Sequence, residues 1–253
     1  MKNKKAQVAI WIILAILLVV SIIIFALLSR KPTLTSQELL NPKAYIEKCT
    51  RQSVNDALDP ILEHGGFINP ENYKLYETIK VSYLCKNSEN VHGCINQHPA
   101  LLSEIDKEIE NYIYPRIYQC FLQLKNELVN RGREFEFGEI NLSVDLILGK
   151  VIVDVNGEMV ITSGEETSKY NGVKVEVISS IYDLANVAVK ILNDERKYCY
   201  FEYVGYMILY PRFSIEKWVM SDNTKIYTIS DKESKEKLNI AITSKNCETG
   251  GTI

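Results

Sequence analysis

Four side chains with metal-ligand chemistry, Cys85, His92, Cys94 and His98, fall within 14 residues of one another. Two thiolates and two imidazoles can enclose a tetrahedral zinc ion, although this spacing matches no standard zinc-finger pattern. The competing chemistry is simpler. A disulfide between Cys85 and Cys94 closes a polar loop and leaves both histidines solvated, and an oxidising compartment favours it. The other four cysteines are Cys49, Cys120, Cys199 and Cys247. Cys49 and Cys120 each lie on the apolar stripe of an expected helix, so they either bridge the two helices or sit in the core as thiols. Cys199 and Cys247 remain as a third possible disulfide pair.

Nucleophilic catalysis finds no local signature. The chain has no G-x-S-x-G elbow, P-loop, H-E-x-x-H or dinucleotide fingerprint. Its three histidines are His64, His92 and His98, so an exported hydrolase would need a cleft where His92 or His98 meets an acid and a nucleophile. Glu165 and Glu166 follow Ser163-Gly164 in a turn-like context and read as solvent-facing. No catalytic residue, metal ligand set or cofactor is assigned at this level, and the expectation is that the protein is not an enzyme.

The elements that must position these residues begin with residues 8–28, apolar throughout except for Ser21 and preceded by Lys2, Lys4 and Lys5. At about 1.5 Å per residue such a run covers roughly 31 Å, the thickness of a bilayer's hydrocarbon core. It is longer than a secretory h-region and lacks an A-x-A cleavage site. The expectation is a single transmembrane helix over 8–28, in contact with the lipid bilayer. The basic flank favours a cytoplasmic N-terminus over residues 1–7. All six cysteines follow the run, which fits an extracytoplasmic body. With the three N-terminal lysines set aside from a chain of formal charge −3, that body carries about −6. No polybasic stretch with interleaved aromatics is present, so nucleic-acid partners are excluded.

After a linker over 29–40, the pattern is α+β: a mainly helical part over 41–132 and a strand-rich part over 133–253. Asn41 and Pro42 start a helix with Tyr45, Ile46, Cys49, Val54, Ala57, Leu58, Ile61 and Leu62 at helical spacing, and Gly65-Gly66 ends it. A strand is expected over 76–84 and a polar loop over 86–96. A second helix runs from 99 towards 130, with Leu102, Ile105, Ile109, Ile113, Ile117, Cys120, Leu124 and Leu128 as its stripe. Strands dominate 134–162, with Asn156-Gly157 as a hairpin-type turn. Val173, Val175 and Val177 alternate, and a helix follows near 179–195. Closing strands are expected over 198–210, 225–229 and 238–243. Tyr198, Tyr200, Tyr203, Tyr206 and Tyr210 then read as aromatics of a strand packing a sheet on helices, with a recognition surface as the alternative. The predicted architecture is a transmembrane helix followed by an extracytoplasmic body whose helices pack on a mostly antiparallel sheet.

Taken in order, four blocks resemble a group of archaeal single-pass membrane proteins. They are Lys4-Lys5-Ala6-Gln7-Val8-Ala9-Ile10, then Tyr45-Ile46-Glu47-Lys48-Cys49 leading to Gly65-Gly66-Phe67-Ile68, then Tyr83-Leu84-Cys85, and finally residues 112–120. The resemblance covers the first half of the chain. It implies a membrane-anchored cell-surface protein with a structural or interaction role, and it brings no catalytic residue or ligand with it. The N-terminus also resembles an archaeal pilin signal, which implies cleavage between Ala6 and Gln7 and a filament subunit as the alternative role. Pilins often carry an acidic residue at the fifth mature position, where this chain has Trp11.

Overall fold

A computed structural model describes residues 14, 16–21, 41–88 and 93–245. The chain divides into two compact units, Met1–Glu38 and Leu39–Ile253. In the first, Leu14 and residues 16–21 are helical and exposed, and the Ser21 hydroxyl donates to the Leu18 carbonyl at 3.0 Å. Crossing a bilayer takes about 20 consecutive apolar helical residues. Among the described residues no helix is long and apolar enough to do so. The transmembrane helix expected over 8–28 is therefore not part of the observed fold, and the rest of that run lies outside the described residues.

The second unit opens with α1 (Pro42–Glu63). Asn41 Oδ1 accepts from the Ala44 amide at 3.1 Å, and Pro42 occupies the first helical turn, where its missing N–H costs nothing. Gly66 N–H returns to the Ile61 carbonyl at 2.8 Å while Gly65 takes φ +82°, the geometry that closes a helix on a left-handed residue. A hairpin follows, β1 (Tyr73–Tyr76) and β2 (Ile79–Lys86), where one strand over 76–84 was expected. The short β3 (Ile95–Asn96) pairs with the end of β2 inside the expected loop. The 30-residue α2 (Leu101–Asn130) continues through Pro115 and buries Ile105, Ile109, Ile113, Ile117, Leu124 and Leu128.

Next come β4 (Glu134–Phe137), β5 (Asn141–Ile147), β6 (Lys150–Ser163) and β7 (Glu166–Ile178). They form a four-stranded antiparallel sheet in which β4 and β5 follow one another along one edge of β6, and β7 takes the other. The turn expected at Asn156-Gly157 is absent. Those residues sit where β6 carries one residue more than β7, between Val155 and Glu158, so the freedom of Asn-Gly serves a bulge rather than a reversal. Chain reversal falls instead at Leu148-Gly149 and Gly164-Glu165, with glycine at φ +72° and +63°.

The chain ends with α3 (Ile181–Tyr198), the short α4 (Tyr203–Leu209), β8 (Phe213–Val219), β9 (Lys225–Asp231) and β10 (Lys237–Ile242). The last strands join the first hairpin in a six-stranded sheet of order β1-β2-β10-β9-β8, with β3 paired to β2. Because β10 runs parallel to β2, this sheet is mixed. The expectation of helices on one mostly antiparallel sheet is corrected accordingly. α1 contacts both β7 and β10, and α3 contacts β9, β10, β5 and β6, so the helices pack against two sheets. Both faces of β2 are covered. Val81 and Tyr83 pack with Ile226 and Ala241, which accounts for five consecutive buried residues where one-sided strands alternate.

Candidate functional site

Cys85 and Cys94 are bonded to one another, with Cα atoms 5.5 Å apart. Their sulfurs are thus not thiolate ligands here, and His92 lies outside the described residues. Cys49 bridges Cys120 across α1 and α2 with a Cα separation of 6.6 Å. Cys199 is disulfide-bonded as well, and Cys247, which the sequence left as its possible partner, lies outside the described residues. His98, the other proposed ligand, is turned elsewhere. Its Nδ1 lies 2.6 Å from Glu104 Oε2, and its Nε2 lies 3.5 Å from the Ser82 hydroxyl.

Two polar networks lie under the α3 layer. At the C-terminal end of α3, the fully buried Glu195 meets Lys225 Nζ at 2.5 Å and accepts from the Tyr227 hydroxyl at 2.5 Å and the Ser244 hydroxyl at 2.8 Å. Lys225 also donates to the Cys199 carbonyl at 2.5 Å and reaches Ser244 Oγ at 3.2 Å, so its three protons are directed at three acceptors. Burial, with the Glu195 carboxylate beside it, pushes the Tyr227 phenol far above its ordinary value.

At the N-terminal end of α3, Asp231 is buried and accepts from Arg212 Nε at 2.9 Å and from Ser180 Oγ at 2.6 Å. Glu236 accepts from the Ser180 amide, which places a carboxylate where the helix dipole is positive. Burial pushes the Asp231 carboxyl up, but donation from Arg212, Ser180 and the Glu233 amide outweighs it and holds the group at about 2, against an ordinary 3.8. A carboxyl depressed on folding stabilises fully above its unfolded value, and that stabilisation is lost as pH falls through the folded one. Acidification from pH 5 to pH 2 is therefore expected to remove about 2 kcal/mol through this group. Urea titrations at several pH values read it directly, and Asp231→Asn flattens the slope. An unchanged slope in that variant rejects the assignment.

The third feature is an apolar surface. The tyrosine-rich stretch 198–210 is not a strand. From Tyr203 onward its tyrosines fall at spacings of three and four, Glu202 Oε1 caps the Gly205 amide at 3.2 Å, and the chain makes α4. α4 buries none of its own residues. Ile208 and Leu209 are 76% and 75% exposed, and Trp218 on the neighbouring edge strand β8 is 56% exposed. Lys217 lies 4.9 Å from the ring centre of Tyr200 and 5.0 Å from that of Tyr203, within cation–π range. Inward from this face the rings of Tyr210, Tyr206, Phe201 and Tyr227 follow in contact, so the surface rests on the buried Glu195–Lys225 pair.

The reading of these tyrosines as sheet-packing residues is thus corrected. The helical spacing after Tyr203 and the Glu202 cap were the available signals. Nothing in sequence spacing joins Ser82 to His98 or Glu195 to Lys225, because each pair meets through tertiary packing. No family model matches this chain, and no curated protein or solved structure is detectably similar to it.

Proposed function

We propose that this is a cell-surface protein whose unit Leu39–Ile253 works on the outer side of the membrane in a structural or interaction role, with residues 8–28 in contact with the bilayer. The observation that carries the reading is the oxidised pairing of Cys49 with Cys120 and of Cys85 with Cys94, since such bridges persist outside the reducing cytosol. The basic flank and the apolar composition of 8–28, interrupted only by Ser21, support bilayer contact. An interaction role is supported by the exposed α4–β8 face, because apolar side chains clustered in solvent are what a monomer ordinarily avoids.

The test is the intact mass of native, membrane-extracted protein, alkylated under denaturing conditions with and without prior reduction. The expected result is an unshortened chain that takes up alkyl groups only after reduction. Six thiols reactive from the start would overturn the outward placement. A mass lacking residues 1–6 would replace the anchored reading with that of a filament subunit processed before Gln7.

A further inference from the structure

Ser82, His98 and Glu104 come from three separate elements and meet beside one cavity. Ser82 is in the middle of β2, on the face opposite Val81 and Tyr83. Its amide donates to the His64 carbonyl at 2.9 Å, and Gly65 lies against it so closely that a Cβ there would stand 2.7 Å from the Asn239 carbonyl and 3.3 Å from Ser82 Cβ. Strand and helix end thus fix the serine. His98 follows β3, its amide held by Asn96 Oδ1 at 2.8 Å and its ring against Phe67 with centroids 4.3 Å apart. Glu104 belongs to the first turn of α2. One carboxylate oxygen accepts from the Ala100 amide at 3.3 Å, and the other meets His98 Nδ1 at 2.6 Å.

We propose that these three residues form an acyl-transfer site that hydrolyses short-chain acyl esters or amides. Ser82 and His98 are its catalytic residues and Glu104 its positioning residue. A carboxylate on Nδ1 fixes the tautomer that leaves Nε2 free to accept a proton, and Nε2 points at the serine hydroxyl. Their separation of 3.5 Å is long for a hydrogen bond in a Michaelis complex and ordinary for a nucleophile–base pair without substrate.

In the reaction, Ser82 Oγ attacks the acyl carbon as its proton passes to His98 Nε2. The carbon–leaving group bond then breaks, and Nε2 returns that proton to the departing alkoxide or amine. Water, deprotonated by the same nitrogen, attacks the acyl-serine ester, releasing the carboxylic acid and restoring the hydroxyl. Asn69 and Asn72 line the same cavity and bring side-chain N–H donors of the kind a transient oxyanion requires. The cavity holds about 260 Å³, which suits a small acyl group. Glu71 and Glu108 also line it, which disfavours anionic substrates.

The experiment treats full-length protein with a fluorophosphonate and locates the adduct by peptide mass, alongside turnover of p-nitrophenyl acetate. The expected results are an adduct on Ser82 that disappears in Ser82→Ala and His98→Gln, and a kcat at least ~10³-fold lower in both variants. Glu104→Gln is expected to lower kcat by about 10²-fold with KM unchanged and Glu104→Asp to restore part of it, a split that a residue merely capping α2 would not produce. Absence of the adduct from the unaltered protein, or labelling and turnover that survive His98→Gln, would overturn the proposal. The first of these readouts needs no variant to fold.

Discussion

Lys225→Met is expected to lower the unfolding free energy by about 3 to 5 kcal/mol, the range for removing one partner of a buried ion pair. Glu195 is fully buried, and Lys225 Nζ pairs with it at 2.5 Å. Without the ammonium, the carboxylate keeps the Tyr227 and Ser244 hydroxyls but loses the charge of Lys225 in a region where water does not replace it. The Cys199 carbonyl loses the ammonium as a donor at the same time. Urea unfolding measures the loss.

The double variant Lys225→Met/Glu195→Gln separates charge from packing. An amide at residue 195 can still accept from Tyr227 while carrying no charge, so the double variant should recover most of the loss and lie within about 2 kcal/mol of the unaltered protein. A double variant as unstable as the single one would show that the lysine stem, not the ion pair, does the stabilising. Because the aromatic contacts run from Tyr227 through Phe201 to Tyr206 and Tyr210, loss of the pair should also loosen the exposed face. Quenching of tryptophan emission from Trp218 would follow that change.

The long elements were legible because their signals are local. Asn41-Pro42 and the glycine pair 65–66 bracket α1, and isoleucines at spacings of four trace α2. The Cys49–Cys120 and Cys85–Cys94 bridges were among the readings that helical periodicity and short sequence separation offered, with free thiols as the alternative. What stayed hidden depends on contacts across the chain. β2 belongs to a sheet completed by β10, more than 150 residues later, and no local pattern reports that parallel pairing. Asn156-Gly157 is equally compatible with a turn and with a bulge. The choice is made by the length of β7, which continues pairing on both sides of it. Tyr198 and Tyr200 alternate like a strand and mask the helical spacing that starts at Tyr203, and Glu202 decides between the two by capping α4. His98 was visible as a chemical group, but its partners are set by where β2 and α2 cross it. Hence its pattern read as a solvated loop residue beside a disulfide, with metal ligation as the alternative.

Removing the Cys49–Cys120 bridge as Cys49→Ala/Cys120→Ala is expected to cost about 4 kcal/mol, and removing Cys85–Cys94 in the same way about 2.5 kcal/mol. The difference follows from loop length. The first bridge closes a sequence separation of 71 residues and the second one of 9, and the entropy that a crosslink removes from the unfolded chain grows with the logarithm of that length. The first bridge also joins the two helices whose packing organises the layer between the sheets, so its loss frees the chain from α1 through α2 to explore conformations that the oxidised unfolded state excludes. Chemical unfolding of both variants, with the slope against denaturant compared, measures both effects. A steeper slope for the variant lacking the long-range bridge is expected, because its unfolded state exposes more surface. Equal losses in both variants would show instead that local strain relief or packing around the sulfurs, and not unfolded-state entropy, sets the contribution of these bridges.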